Sequence, residues 1–101
     1  MDIKNAQTKN VDVIVLDHHQ SGINFPNACA IVNPNRFDDE SNLNYLCAAG
    51  VCFMLLVSLN TELRKTNWFK KNNFNEPNIL NFLDLVSLGT VCDVVPLVEL
   101  N

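Results

Sequence analysis

Asp17, His18 and His19 stand consecutively at the end of an apolar run from Val11 to Leu16. Two imidazoles and a carboxylate in one tight turn offer nitrogen and oxygen donors to a divalent cation. Adjacent side chains diverge, so such a triplet presents one direct ligand while its neighbours turn outward or hold that ligand's orientation. On its own the tripeptide is more often a polar surface loop. Asp93 is the second candidate, because Val91, Cys92, Val94 and Val95 flank it. A carboxylate in that company is expected to be paired, hydrogen-bonded or metal-bound. Asp84 falls within a helical stretch and is read as helix structure.

These side chains need a scaffold. Val11 to Leu16 is β-branched and apolar apart from Asp12, which predicts a strand buried on both faces of a parallel sheet. Polar residues just past the carboxyl end of such a strand are where open α/β sheets build their sites. Gln20 to Pro26 reads as a loop, Ala28 to Val32 as a second short strand, and Asn33-Pro34-Asn35 as the turn that closes it. Asp38, Asp39, Ser41 and Asn42 are candidate caps for a buried core helix running from Leu43 to about Lys65. Asn67 to Asn75 is a polar link in which Trp68 and Phe69 are expected to anchor against the domain. A second helix is predicted from near Pro77 to Leu88, with Gly89 as its stop and Ile79, Leu80, Phe82, Leu83 and Val86 on its apolar face. The expected fold class is α/β, with the whole chain expected to be one unit of a larger domain.

Composition narrows the function classes. The chain has 101 residues, 48% of them hydrophobic, which predicts a folded unit with a marginal core. Seven Lys and Arg against 11 Asp and Glu leave a net charge of -4, so this segment alone has no basic surface for a phosphate backbone. An acidic balance is also compatible with bound divalent cations. Cys29, Cys47, Cys52 and Cys92 show no C-x-x-C spacing and are expected to be buried, reduced thiols. Leu43 to Leu59 is too interrupted to span a membrane, and Met1 to Asn10 is too polar for a signal peptide. A cytoplasmic location is expected.

Taken together, VDVIVLDHH (Val11 to His19), AIVNPN (Ala30 to Asn35), AAGVCF (Ala48 to Phe53) and PNILNFLDLVSLGTVCDVVPL (Pro77 to Leu97) resemble, in order, the RecJ-type exonucleases of the DHH phosphoesterase superfamily. The resemblance implies a parallel-sheet DHH domain flanked by helices, of which residues 1–101 form a part with the third and fourth motifs. It implies that His18 and Asp93 are metal ligands, that His19 contacts the scissile phosphate or supports the site, and that Asp17 orients an imidazole. It implies Mn²⁺ or Mg²⁺ in a two-metal site, and single-stranded DNA as the substrate, cut from its 5′ end during repair and recombination.

Departures accompany the match. The family's two-aspartate first motif and the second-motif aspartate belong before the D-H-H strand, and only ten residues precede Val11. Asp2 and Asp12 do not replace them, and Asp38-Asp39-Glu40 has the wrong spacing and reads as a solvated cap. The segment alone is therefore expected to be inactive, to bind metal weakly, and to need a complementary upstream segment. Alternatives are a DHH phosphoesterase for oligonucleotides, cyclic dinucleotides or pyrophosphate, and a non-catalytic split-gene remnant or interaction module.

Overall fold

The computed structural model describes residues 3–101, so Asp2 lies outside it. The chain folds as a small α/β unit, a two-stranded parallel sheet flanked by helices. It opens with α1 (Ile3–Gln7), whose buried Ala6 accepts the amide of Val11 at 3.1 Å. β1 (Ile14–Leu16) then pairs with β2 (Ala30–Val32) in the register Ile14 to Ala30, Val15 to Ile31 and Leu16 to Val32. Both strands are shorter than their apolar runs because the flanking amides are committed to turns. Val11 N–H returns to Ala6, and Ala28 N–H donates to Pro26 O at 2.9 Å.

The expectation of a strand buried on both faces is not met, since Val11 is 48% and Ile14 59% exposed. A two-stranded sheet has too little area to be covered on both sides. The outer edge of β2 is nevertheless covered at one carbonyl. Asp17 N–H donates to Val32 O at 3.0 Å, and successive strand carbonyls alternate, so Ile31 O points away from β1. Arg36 Nη1 donates to it at 2.9 Å. Asp38 grips the same guanidinium through two bonds of 2.8 and 2.6 Å, and the Phe25 ring lies 4.5 Å beneath it. Blocking an edge strand this way removes a template for unwanted pairing.

The long helix, α2 (Ala48–Lys65), starts five residues later than its apolar run. Asn42 takes a left-handed φ of 58°, and Leu43 to Leu46 close a turn by a 3.0 Å bond, which halts helical geometry there. Cys47 is the actual cap, its thiol accepting Gly50 N–H at 3.4 Å. None of the expected caps serves: Asp38 is tied to Arg36, and Asp39 accepts the amide of Ser41 at 2.9 Å. Nor is α2 a core helix throughout, since Gly50, Val51 and Asn60 are buried while Met54, Leu56, Val57 and Leu59 are exposed.

The polar link contains α3 (Trp68–Lys71), entered through Asn67 at φ 55°. Trp68 meets Phe69 edge-on and stacks with Phe74 at 5.5 Å, so the link's aromatics pack on one another. Beyond Pro77, whose carbonyl accepts from buried Asn60 at 3.2 Å, the chain forms a 3-10 turn, Ile79–Phe82, capped by Asn78. That turn runs into α4 (Leu83–Cys92).

Gly89 is therefore not a helix stop. It lies inside α4, where a Cβ would stand 2.8 Å from Ala49 Cβ and 3.6 Å from Cys47 Sγ. Its lack of a side chain lets α4 cross the first turn of α2 at close range, and Asp93 ends the helix instead. Among the described residues the buried apolar side chains are Ala6, Leu46, Cys47 and Val51. The four thiols are free, but Cys29, Cys52 and Cys92 are exposed, contrary to expectation. The radius of gyration, 15.7 Å, exceeds the roughly 13 Å of a closed domain of this length. Leu85, Leu88, Val91 and Leu97 of the C-terminal half remain on the surface.

Candidate metal centre

The site forms where the end of β1 meets the end of α4. Past Leu16 the chain leaves the ladder and Asp17 turns back on its own successors. Its Oδ1 accepts the backbone N–H of His18 at 2.8 Å and of His19 at 3.2 Å, and the His19 ring Nδ1 lies 2.6 Å away. With a carboxylate as its partner Nδ1 carries the proton, so Nε2 is the free nitrogen of a side chain that is 78% exposed. These contacts hold the Asp17 carboxyl below its usual pKa, chiefly through the His19 ring bond and next through the two amides, with partial burial opposing them.

The His18 ring lies beside that of His19, with centroids 4.4 Å apart, but takes a different partner. Its side chain is 14% exposed, and its Nε2 lies 3.2 Å from Asp93 Oδ2. Asp93 reaches it from the C-cap of α4, where its N–H donates to Gly89 O at 3.0 Å. The next residue, Val94, takes a left-handed φ of 55°, an unfavourable conformation for a β-branched residue. Asp93 is not deprived of water as its apolar neighbours suggested. Its side chain is 40% exposed because Val91 and Val94 are themselves on the surface.

The donor chemistry suits a hard divalent cation. Two neighbouring ligands of an octahedral ion, each about 2.1 Å from it, lie about 3.0 Å apart, close to the 3.2 Å between His18 Nε2 and Asp93 Oδ2. The pair is incomplete as a ligand set. Among the described residues no group of three or more His, Cys, Asp and Glu side chains converges to hold a metal. Asp17 is engaged with His19, Asp12 and Asp84 are exposed and elsewhere, and Asp84 accepts the N–H of Leu85 at 2.8 Å in the first turn of α4.

Two residues read only as a turn are part of this site. Asn33, 4% exposed, donates from Nδ2 to His19 O at 2.9 Å and more weakly to Asp17 Oδ2 at 3.5 Å. Asn35 donates from Nδ2 to His18 O at 2.6 Å and to Asn44 O at 3.3 Å. The available signal was position: two amides flanking a proline, directly after the strand that pairs with β1.

The family model described as "DHH family, N-terminal domain" matches residues 1–90, which include the triplet and stop just short of Asp93. The chain is 47% identical over 95 residues to the single-stranded-DNA-specific exonuclease RecJ of Salmonella typhimurium, covering 94% of this chain and 16% of that protein. It is 45% identical to RecJ of Escherichia coli with the same coverage, and 35% identical over 98 residues to RecJ of Bacillus subtilis, covering 97% of this chain and 11% of that protein. No solved structure matches. No helix among the described residues is long and apolar enough to cross a membrane. A parallel strand ending in Asp17-His18-His19, inside a family match that spans most of the sequence, makes this chain a member of the DHH family.

Proposed function

We propose that residues 1–101 form part of the catalytic DHH domain of a RecJ-type exonuclease that hydrolyses phosphodiester bonds in single-stranded DNA from the 5′ end. The observation that carries this reading is the meeting of His18 and Asp93, drawn from distant parts of the chain to 3.2 Å. Relatives whose printed name is single-stranded-DNA-specific exonuclease support the substrate class.

In this reading His18 and Asp93 hold Mn²⁺ or Mg²⁺, which in a two-metal site supplies Lewis acidity and lowers the pKa of a bound water. The chain's own residues supply orientation. Asp17 holds the His19 Nδ1–H toward its own carboxylate, so that the exposed Nε2, when it also carries a proton, can donate to a phosphoryl oxygen. In the structure His18 Nε2 pairs with Asp93 at the end of α4, and the His18 carbonyl is held by Asn35 in the turn after β2. With two ligands of the expected set, the chain alone is expected to be inactive, and the remaining carboxylates come from an upstream segment bearing the two-aspartate motif.

The test is Mn²⁺-dependent release of nucleotides from 5′-labelled single-stranded DNA. The chain alone, the chain with that upstream segment, and the same mixture carrying His18→Ala are compared. Release only from the unmutated mixture is expected. Equal release from the His18→Ala mixture would overturn the assignment of His18.

A further inference from the structure

Consecutive carbonyls in a loop normally face water, yet both carbonyls of the His18-His19 dipeptide are taken by side-chain amides from one turn. Asn35 holds His18 O at 2.6 Å and Asn33 holds His19 O at 2.9 Å. The two amides are themselves fixed. Asn33 Oδ1 accepts Asn35 N–H at 2.8 Å, and Asn35 Oδ1 accepts Gln20 Nε2–H at 3.0 Å. Each amide thus uses its carbonyl and directs its NH₂ at two acceptors, Asp17 Oδ2 and His19 O for one, His18 O and Asn44 O for the other. A flipped amide would set oxygen against oxygen, so each has one workable orientation. Pro34 stands between them and restricts the turn's backbone.

We propose that Asn33 and Asn35 are positioning residues for the His18 and His19 imidazoles. They lock the two peptide planes from which the rings project, and so set the direction in which His18 meets a cation. The proposal rests on the metal-centre reading for its purpose and on the hydrogen bonds alone for its geometry. Fixing the backbone leaves each ring two torsions, and Asp93 and Asp17 then restrain those torsions. Partners that orient metal-ligating groups are typically worth about 10- to 100-fold in metal affinity.

The experiment uses the whole chain, labelled with ¹⁵N at histidine and asparagine, and Mn²⁺ alone as the probe. Asn35→Leu keeps the approximate volume and removes the donors, while Asn44→Ala is the control, because Asn44 offers only its backbone carbonyl to this network. Long-range ¹H–¹⁵N spectra report each ring's tautomer and order, and selective broadening of His18 reports Mn²⁺ affinity. Asn35→Leu is expected to leave the β1–β2 amides protected, to average the His18 ring signals, and to raise the Mn²⁺ needed for half-broadening about tenfold or more. Unchanged His18 ring signals in Asn35→Leu overturn the proposal. If that variant unfolds, the unmutated chain decides. Side-chain NH₂ protons of Asn33 and Asn35 that exchange slowly support the proposal, and exchange at the rate of a free amide overturns it. An ordered His18 that Mn²⁺ does not broaden would instead sink the metal-centre reading, with the ring spectra still judging the two asparagines.

Discussion

Adding one methyl group at Gly89 tests the link between helix packing and the site. In Gly89→Ala the new Cβ would sit 2.8 Å from Ala49 Cβ, a backbone-anchored atom that no rotamer change can move. Ordinary carbon contacts need about 3.5–4.0 Å, so α4 must withdraw from α2 by about 1 Å. Overpacking of this kind costs about 1–3 kcal/mol, and the helix-propensity gain of Ala over Gly returns about 1 kcal/mol. A net loss near 1 kcal/mol is expected. Gly89 O accepts the N–H of Asp93, so the withdrawal also carries Asp93 away from His18. Urea unfolding followed by circular dichroism measures the first effect, and the His18 ring resonances measure the second. Gly50→Ala is the milder comparison, since its Cβ would lie 3.3 Å from Leu46 Cδ2 and 3.4 Å from Leu46 Cβ, a shortfall of a few tenths of an ångström at most against ordinary carbon contacts. A Gly89→Ala chain as stable as the parent, with an unshifted His18 ring, would refute the close-crossing account.

Two further perturbations address other parts of the fold. Val94 holds φ at 55° with a β-branched side chain that is 86% exposed, so Val94→Gly should raise stability by about 1 kcal/mol through relief of left-handed strain; a lower urea midpoint would count against that strain. The Arg64 guanidinium, hydrogen-bonded to Glu76, holds the Glu76 carboxyl below its usual pKa. A depressed folded-state pKa contributes stability above the unfolded value, which is lost as pH falls through the folded one. Exchange protection where residues 74–78 fold back on α2 should therefore decline on acidification through the carboxylate range, and Arg64→Met should remove that pH dependence.

The fold was legible where one local signal decided the outcome. The β-branched run before Asp17 marked a strand, the apolar stretch through Val51 marked a long helix, and the parallel α/β class followed from both. The boundaries were not legible, because distant or backbone groups set them. Cys47 caps α2 with a thiol, a weak acceptor that composition does not recommend. Gly89 looked like a stop on local grounds, whereas its role depends on Ala49, which lies forty residues earlier in the chain. Cys29, Cys52 and Cys92 looked buried by type, but a two-stranded sheet and one crossing of helices have too little interior to receive them.

Legibility at the site divides along the same line. Asp17, His18, His19 and Asp93 announced themselves by residue type, yet type could not say that the two histidines face different carboxylates. That division follows from the backbone. Asp17 accepts both following amides, which fixes the backbone at the bend, and the two rings, 4.4 Å apart, pair with different carboxylates. The carbonyls of His18 and His19 are taken by Asn35 and Asn33, and β2 delivers the Asn33-Pro34-Asn35 turn at the register where it can do so. A one-residue slip of β2 would send its side chains to the opposite face and withdraw both amides at once. Strand register thus fixes imidazole direction, and the bonds across the two strands, from Cys29 N–H to Val13 O at 2.8 Å and Asp17 N–H to Val32 O at 3.0 Å, hold that register at either end.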